Sequence, residues 1–108
     1  MLAEQTFDAN GVSINYTVGP ALGPPLLLLH EITERWQTFL PLIPHFTRWQ
    51  VCVLDLRGHG QSGRVKNSYK IIDYAQDIVC FLEAQINRPA IILGHSLGAL
   101  ISIYIAAN

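Results

Sequence analysis

Ile91-Ile92-Leu93-Gly94-His95-Ser96-Leu97-Gly98-Ala99-Leu100 is the stretch that decides how this 108-residue chain is read. An apolar run ends at Gly94, a serine follows two residues on, and a second apolar run begins after Gly98. The pattern is G-x-S-x-G between a strand signal and a helix signal. In that setting it describes a nucleophile elbow, a serine held on a sharp turn, with glycines on either side because a Cβ there would clash. Leu97 opens the helix, and its unpaired N–H points at whatever Ser96 attacks.

Outward from the elbow, the run Ala90 to Leu93 has two earlier counterparts, Leu26 to Leu29 and Val51 to Leu54. Continuous apolar runs of this length mark strands covered on both faces. The first ends in His30-Glu31-Ile32-Thr33 and the second in Asp55, followed by the glycine-rich Leu56-Arg57-Gly58-His59-Gly60-Gln61-Ser62-Gly63. At the N-terminal end, Asn10-Gly11 separates two alternating segments and predicts a hairpin over 5–18, because both turn residues tolerate positive φ. In its second arm Val12, Ile14, Tyr16 and Val18 alternate with polar residues, which predicts one buried and one wet face.

Trp36, Phe39, Leu40, Ile43 and Phe46 recur at helical spacing but are interrupted by Pro41 and Pro44, so a short, kinked helix is expected. Asp73 with Gln76 reads as a capping box for a helix carrying Tyr74, Ile78, Phe81, Leu82 and Ile86 on one stripe, closed by Arg88-Pro89. The predicted class is α/β: an antiparallel hairpin, then three parallel strands near 26–30, 51–55 and 90–94 with intervening helices, in a doubly wound sheet. Such a sheet brings His30, Asp55 and Ser96 to one edge.

Half of the residues are apolar, 14% are charged and the net charge is −1, values that fit one soluble globular unit and argue against a disordered tail or a nucleic-acid binder. The apolar runs are too short to span a bilayer. The start, Met1-Leu2-Ala3-Glu4-Gln5, lacks a basic region, which argues against a secretory leader and for a cytoplasmic protein. Cys52 and Cys80 have no metal-ligand spacing and read as two buried free thiols. The last residues, Leu97 to Asn108, read as a helix with almost no polar face. Such a helix is normally buried on several sides, which suggests a domain that is incomplete at this end.

Taken together, the chain resembles the N-terminal part of an α/β-hydrolase fold enzyme. Four marks carry the resemblance in the family's order: Leu28-Leu29-His30, Asp55-Leu56-Arg57-Gly58-His59-Gly60-Gln61-Ser62, the helix beginning near Asp73, and Gly94-His95-Ser96-Leu97-Gly98. The resemblance covers essentially the whole chain, as a single partial domain over 1–108. It is nearest to the serine-nucleophile esterases, lactonases and haloperoxidase-like proteins. Relatives with an aspartate nucleophile are disfavoured because position 96 is serine.

The resemblance implies Ser96 as nucleophile, the Ile32 and Leu97 N–H groups as oxyanion donors, and Gly94, His95, Gly98 and His30 as supports of the elbow and the loop. It implies no cofactor and no metal, and an ester-like small molecule as substrate. The family supplies its acid and then its histidine after the serine. The twelve residues after Ser96 contain no Asp, Glu or His, and all four histidines (30, 45, 59 and 95) precede it. Two triad members are therefore missing from these residues, and little turnover is expected from them alone.

The family usually has Gly where this chain has Glu31. Two expectations stand: a strained backbone with a carboxylate facing the oxyanion site, or a side chain turned to solvent. Arg57 and Asp55 read as a charged pair scaffolding the glycine-rich loop. His95 is expected to be packed or hydrogen-bonded, and His45 to lie on the surface. The alternative to a hydrolase is a non-catalytic truncated fragment that associates with another chain or is unstable, an open sheet edge and the apolar helix also offering a route to self-association. A nucleotide-binding module is disfavoured, since neither glycine turn follows the phosphate-binding patterns.

Overall fold

A computed structural model describes residues 2–108. Asn10 and Gly11 both take positive φ, 50° and 97°, and fold β1 (Glu4–Ala9) back on β2 (Val12–Val18) in antiparallel register, Glu4 opposite Thr17. That left-handed pair matches the twist of the two arms, which is why Asn-Gly suits it.

Three parallel strands follow: β3 (Pro25–Leu29), β4 (Gln50–Leu54) and β5 (Ile91–Gly94). The sheet order is β1-β2-β4-β3-β5, with β2 antiparallel to β4 and β3 parallel to both β4 and β5. The expected class therefore stands, with each strand boundary within a residue of its expected place. His30 and Asp55 fall just beyond the ends of their strands.

Strand alternation divides the apolar runs between two faces. Leu27, Leu29, Cys52 and Leu54 share one cluster with Ile14, Tyr16, Tyr74, Ile78, Phe81 and Ile101, so both helices, α1 (Ile71–Phe81) and α2 (Leu97–Ala107), pack on this side. Leu26, Leu28, Val51 and Val53 face the other way onto Trp36 and Phe39. This explains why β3 is buried at every residue.

Several expectations change. No helix lies between β3 and β4; two 3-10 turns, Trp36–Phe39 and Ile43–His45, stand there, because Pro41 and Pro44 deny the i to i−4 ladder. Asp73 is not the cap of α1 but its third residue, and its carboxylate accepts the Lys70 N–H at 2.9 Å. That helix widens into a π turn over Leu82–Ile86 and closes at Asn87, in the left-handed conformation at φ 50°, rather than at Arg88-Pro89. Asn87 donates its N–H to the Leu82 carbonyl at 2.6 Å.

The polar face of β2 is wet only at Ser13. Asn15 and Thr17 are buried, because β2 is an interior strand and that part of the face is covered. β5 is not a covered strand either: at the sheet edge, Ile91 and Leu93 are exposed. Cys80 is half-buried rather than buried, and both cysteines are free. Burial pushes the Cys52 thiol up to about 11.

Candidate active site

Two close backbone approaches build the turn after β5. A Cβ on Gly94 would fall on the Gly98 carbonyl, and a Cβ on Gly98 would fall on the Leu29 carbonyl. Glycine at both places lets α2 start directly against the ends of β3 and β5. The turn is tied down by the His95 N–H, which donates to Leu29 O at 3.1 Å, and by the Gly98 N–H, which donates to His95 O at 3.0 Å.

Between the glycines, Ser96 is held at φ 55°, ψ −108°. Among the described residues, five non-glycine residues have positive φ; three are asparagines, and the other two are Ser96 and Thr33. Asparagine tolerates this region, whereas serine and a β-branched threonine do so at a cost of order 1–3 kcal/mol each. Backbone strain is therefore concentrated in the two loops that follow β3 and β5. Glu31 is not one of the strained residues, so its Cβ meets no left-handed backbone.

Ser96 is exposed, and α2 begins at the next residue. Among the described residues, neither the Leu97 N–H nor the Ile32 N–H has a hydrogen-bond acceptor. The turn that carries Ile32 is closed by the Glu34 N–H donating to Glu31 O at 3.2 Å.

The four histidines separate clearly. His30 is fully buried; its Nε2 accepts the Leu56 N–H at 3.0 Å, and its Nδ1 lies 2.7 Å from Glu31 O. A backbone N–H can only donate, so Nε2 is unprotonated and Nδ1 carries the proton given to Glu31 O. Burial holds its pKa below the usual imidazole value, against a smaller opposing contribution from the Glu31 carbonyl. Both ring nitrogens are thus committed to holding loops. His59 Nδ1 lies 2.9 Å from Arg57 O, inside the glycine-rich turn. His45 is exposed, as expected.

His95 departs from expectation. It is not packed; its side chain is 66% exposed, and its Nδ1 lies 3.8 Å from a Glu31 carboxylate oxygen. A loose contact thus links the two loops around Ser96, which sequence spacing of 64 positions gives no means to foresee.

Asp55 and Arg57 are not a pair. Asp55 is buried and accepts three hydrogen bonds, from Trp36 N–H at 2.7 Å, Asn15 Nδ2 at 2.9 Å and Gln61 N–H at 3.0 Å. Arg57 instead makes a two-pronged pair with Asp77 of α1, both contacts 2.7 Å, and donates to Ser68 O at 2.8 Å. The Asp77 carboxylate is the main cause of the raised Arg57 pKa. Ser62, which sequence reading leaves unassigned, donates its hydroxyl to Asp55 O and accepts the Asn15 N–H. These contacts hold the glycine-rich loop as scaffold beside β4.

A groove of about 500 Å³ runs between β5, α2 and the end of α1, lined by Leu82, Ala90, Ile92, Ser102, Ile105 and Ala106. It is apolar and contains no residue of the Ser96 turn. Among the described residues, no three His, Cys, Asp or Glu side chains are grouped as metal ligands would be. No helix among them is long and apolar enough to cross a membrane.

Comparison with known proteins bears on the family and the fold. Over 87 residues the chain is 38% identical to the 2-(acetamidomethylene)succinate hydrolase of Mesorhizobium japonicum, covering 80% of this chain and 31% of that protein. It is 37% identical over 92 residues to the magnesium-chelatase 30 kDa subunit of Rhodobacter capsulatus, covering 83% and 32%. The chain thus spans about a third of the length of these relatives. The crystal structure of E-2-(acetamidomethylene)succinate hydrolase superposes with a TM-score of 0.92 at 32% identity, over 99% of this chain and 40% of that one. A family model described as alpha/beta hydrolase fold matches residues 24–108, from β3 through the Ser96 turn to the end of α2, and the chain belongs to that family.

Proposed function

We propose that these residues are the nucleophile-bearing part of a serine hydrolase that cleaves ester-like bonds in a small molecule, and that 1–108 form one partial domain of it. The observation that carries the reading is Ser96 itself: an exposed serine on strained backbone, at the start of α2, next to the Leu97 N–H, which has no acceptor. Strain of this kind persists where surrounding structure enforces it, and here Gly94 and Gly98 do so.

In the proposed reaction the Ser96 Oγ attacks the carbonyl carbon, and the oxygen that becomes negative receives hydrogen bonds from the Ile32 and Leu97 N–H groups. The leaving alcohol departs with a proton, an acyl-enzyme remains on Ser96, and water releases the acid. Gly94, His95 and Gly98 shape the turn, and His30 holds the Ile32 loop through its own neighbour Glu31. The reaction as drawn needs no cofactor, and the two free thiols fit a reducing, cytoplasmic setting.

A base must take the serine proton, and none of these histidines is placed for it. Both nitrogens of His30 are engaged, His59 is turned to Arg57 O, His45 is exposed on the second 3-10 turn, and His95 faces Glu31. The base and its orienting acid therefore come from residues outside this stretch. Without them, an oxyanion site alone retains about 10³–10⁴-fold acceleration over water, far below a complete triad.

The test is labelling with a fluorophosphonate probe, comparing this chain, Ser96→Ala and a chain extended by downstream sequence. Slow labelling of the chain, none of Ser96→Ala, and much faster labelling of the extended chain are expected. Equal rates for the short and extended chains would refute the assignment of the base to other residues.

A second reading rests on a different observation. Ile91, Leu93, Leu100 and Ile103 are all exposed along β5 and α2, beside the apolar groove. Here the 108 residues act without catalysis, pairing with a second copy through this edge. Sedimentation or size-exclusion measurements at increasing concentration decide it: a monodisperse monomer excludes this reading.

A further inference from the structure

Glu31 is the feature around Ser96 that the proposed reaction does not use. It directly precedes Ile32, one oxyanion donor, and its carboxylate lies 3.8 Å from His95, which directly precedes Ser96. The negative charge is therefore held between the two loops that would grip a reacting acyl group. It is not withdrawn into solvent, for its side chain is only 35% exposed.

Nor is it neutralised. Among the described residues no Lys or Arg nitrogen comes within 4.0 Å of it; the two close charged contacts are Arg57 with Asp77, and His95 with Glu31. His95 balances the charge only when protonated. The neighbouring Glu34, on the same turn, adds a second carboxylate and spends part of its acceptor capacity on the Thr38 hydroxyl at 2.8 Å. Arg35, further along the same loop, is exposed and within 4.0 Å of no carboxylate, and Arg57 has every nitrogen committed to Asp77 and Ser68.

We propose that the Glu31 carboxylate makes this site select substrates by charge, taking acyl groups that are neutral or carry a cationic amine and rejecting those that carry a second carboxylate. At an effective dielectric of about 20, a unit charge within about 10 Å of a bound acyl group changes binding on the order of tenfold, and salt weakens the effect. The specificity resides in one side chain because Glu31 has no left-handed backbone for another residue to disturb, and its carboxylate does not accept the Ile32 N–H.

This inference rests on the reading of Ser96 as nucleophile, and one experiment separates the two. Three fluorophosphonates with arms of equal length, ending in methyl, trimethylammonium or carboxylate, are reacted with the chain, Glu31→Gln, Glu31→Lys and Ser96→Ala, and followed by intact mass. Labelling is slow without the base, but the ratio between probes does not depend on it. The chain is expected to label about tenfold faster with the cationic probe than with the anionic one, less so in high salt. Glu31→Gln should flatten the ratio at equal overall stability, and Glu31→Lys should invert it. Ser96-dependent labelling with a ratio unchanged in Glu31→Gln overturns the charge selection alone. Absence of Ser96-dependent labelling by any probe overturns the nucleophile reading and the selection with it.

Discussion

The His30 imidazole, buried at the end of β3, accepts the Leu56 N–H at 3.0 Å and so ties the Ile32 loop to the glycine-rich loop after β4. Its other nitrogen serves the Glu31 carbonyl. Replacing the ring by alanine leaves both backbone groups unsatisfied and opens a cavity, and should cost about 3 kcal/mol.

The same ring makes stability depend on pH in a defined direction. Its folded pKa lies below the ordinary value of 6.5 because burial disfavours the imidazolium. Below 6.5 the unfolded chain therefore binds more protons than the folded one, so the contribution of His30 is complete above that pH and is lost as pH falls toward the depressed folded value. Urea midpoints measured at pH 7.5, 6 and 5 should decline, and the decline should be shallower in His30→Ala. A parallel decline in both would remove His30 as its source.

Arg57 and Asp77 form a nearly buried, two-pronged pair that pins the glycine-rich loop to α1. Removing one partner leaves a buried charge, at a cost of about 3–5 kcal/mol. Arg57→Lys should also destabilise, because an ammonium cannot hold both carboxylate oxygens and the Ser68 carbonyl in one plane. The combined Arg57→Met, Asp77→Leu variant should lose less than either single change. Denaturant titration of the four chains gives the cycle, and additive losses would show that the pair acts as two independent residues.

How much of this was readable beforehand depends on range. The Ser96 turn is legible because the residues that make it lie within five positions, and the hairpin because Asn10-Gly11 specifies it locally. Burial of Asn15 is not legible: besides Glu4 on the neighbouring strand, its partners are Asp55 and Ser62, 40 and 47 positions away, and alternation alone cannot say whether a polar face meets water or another polar group. Trp36 to His45 shows helical spacing of apolar residues, yet Trp36 and Phe39 reach the sheet from 3-10 turns, since burial sets the spacing and the prolines set the backbone. The strain at Thr33 has no local sequence signal, because nothing about threonine announces positive φ. The Glu31–His95 contact is a product of tertiary placement alone.

Ser96 and Thr33 hold conformations that glycine adopts freely. Ser96→Gly and Thr33→Gly should each raise stability by about 1 kcal/mol, the relief of strain exceeding the entropy glycine adds to the unfolded chain. Ser96→Gly should abolish probe labelling while gaining stability, whereas Thr33→Gly should label more slowly because the Ile32 loop is less firmly held. Thermal unfolding and labelling rates on the same samples check this; a loss of stability in both variants would mean that contacts, not strain, dominate at these positions.

α2 offers a test of what its exposed face does. Leu100 and Ile103 are 57% and 65% exposed, while Ile101 between them is fully buried against the α1 side of the sheet. Leucine and lysine have similar helix propensity, and an exposed site has little transfer energy to lose, so Leu100→Lys with Ile103→Lys should shift folding stability by less than about 1 kcal/mol. Ile101→Lys, by contrast, would bury an unpaired ammonium in the core and should prevent folding. If the exposed face mediates pairing between copies, the double lysine variant should sediment as a monomer at concentrations where the parent associates. An association constant unchanged by both lysines would locate any pairing elsewhere, because two like charges set into an apolar contact cannot leave its affinity untouched.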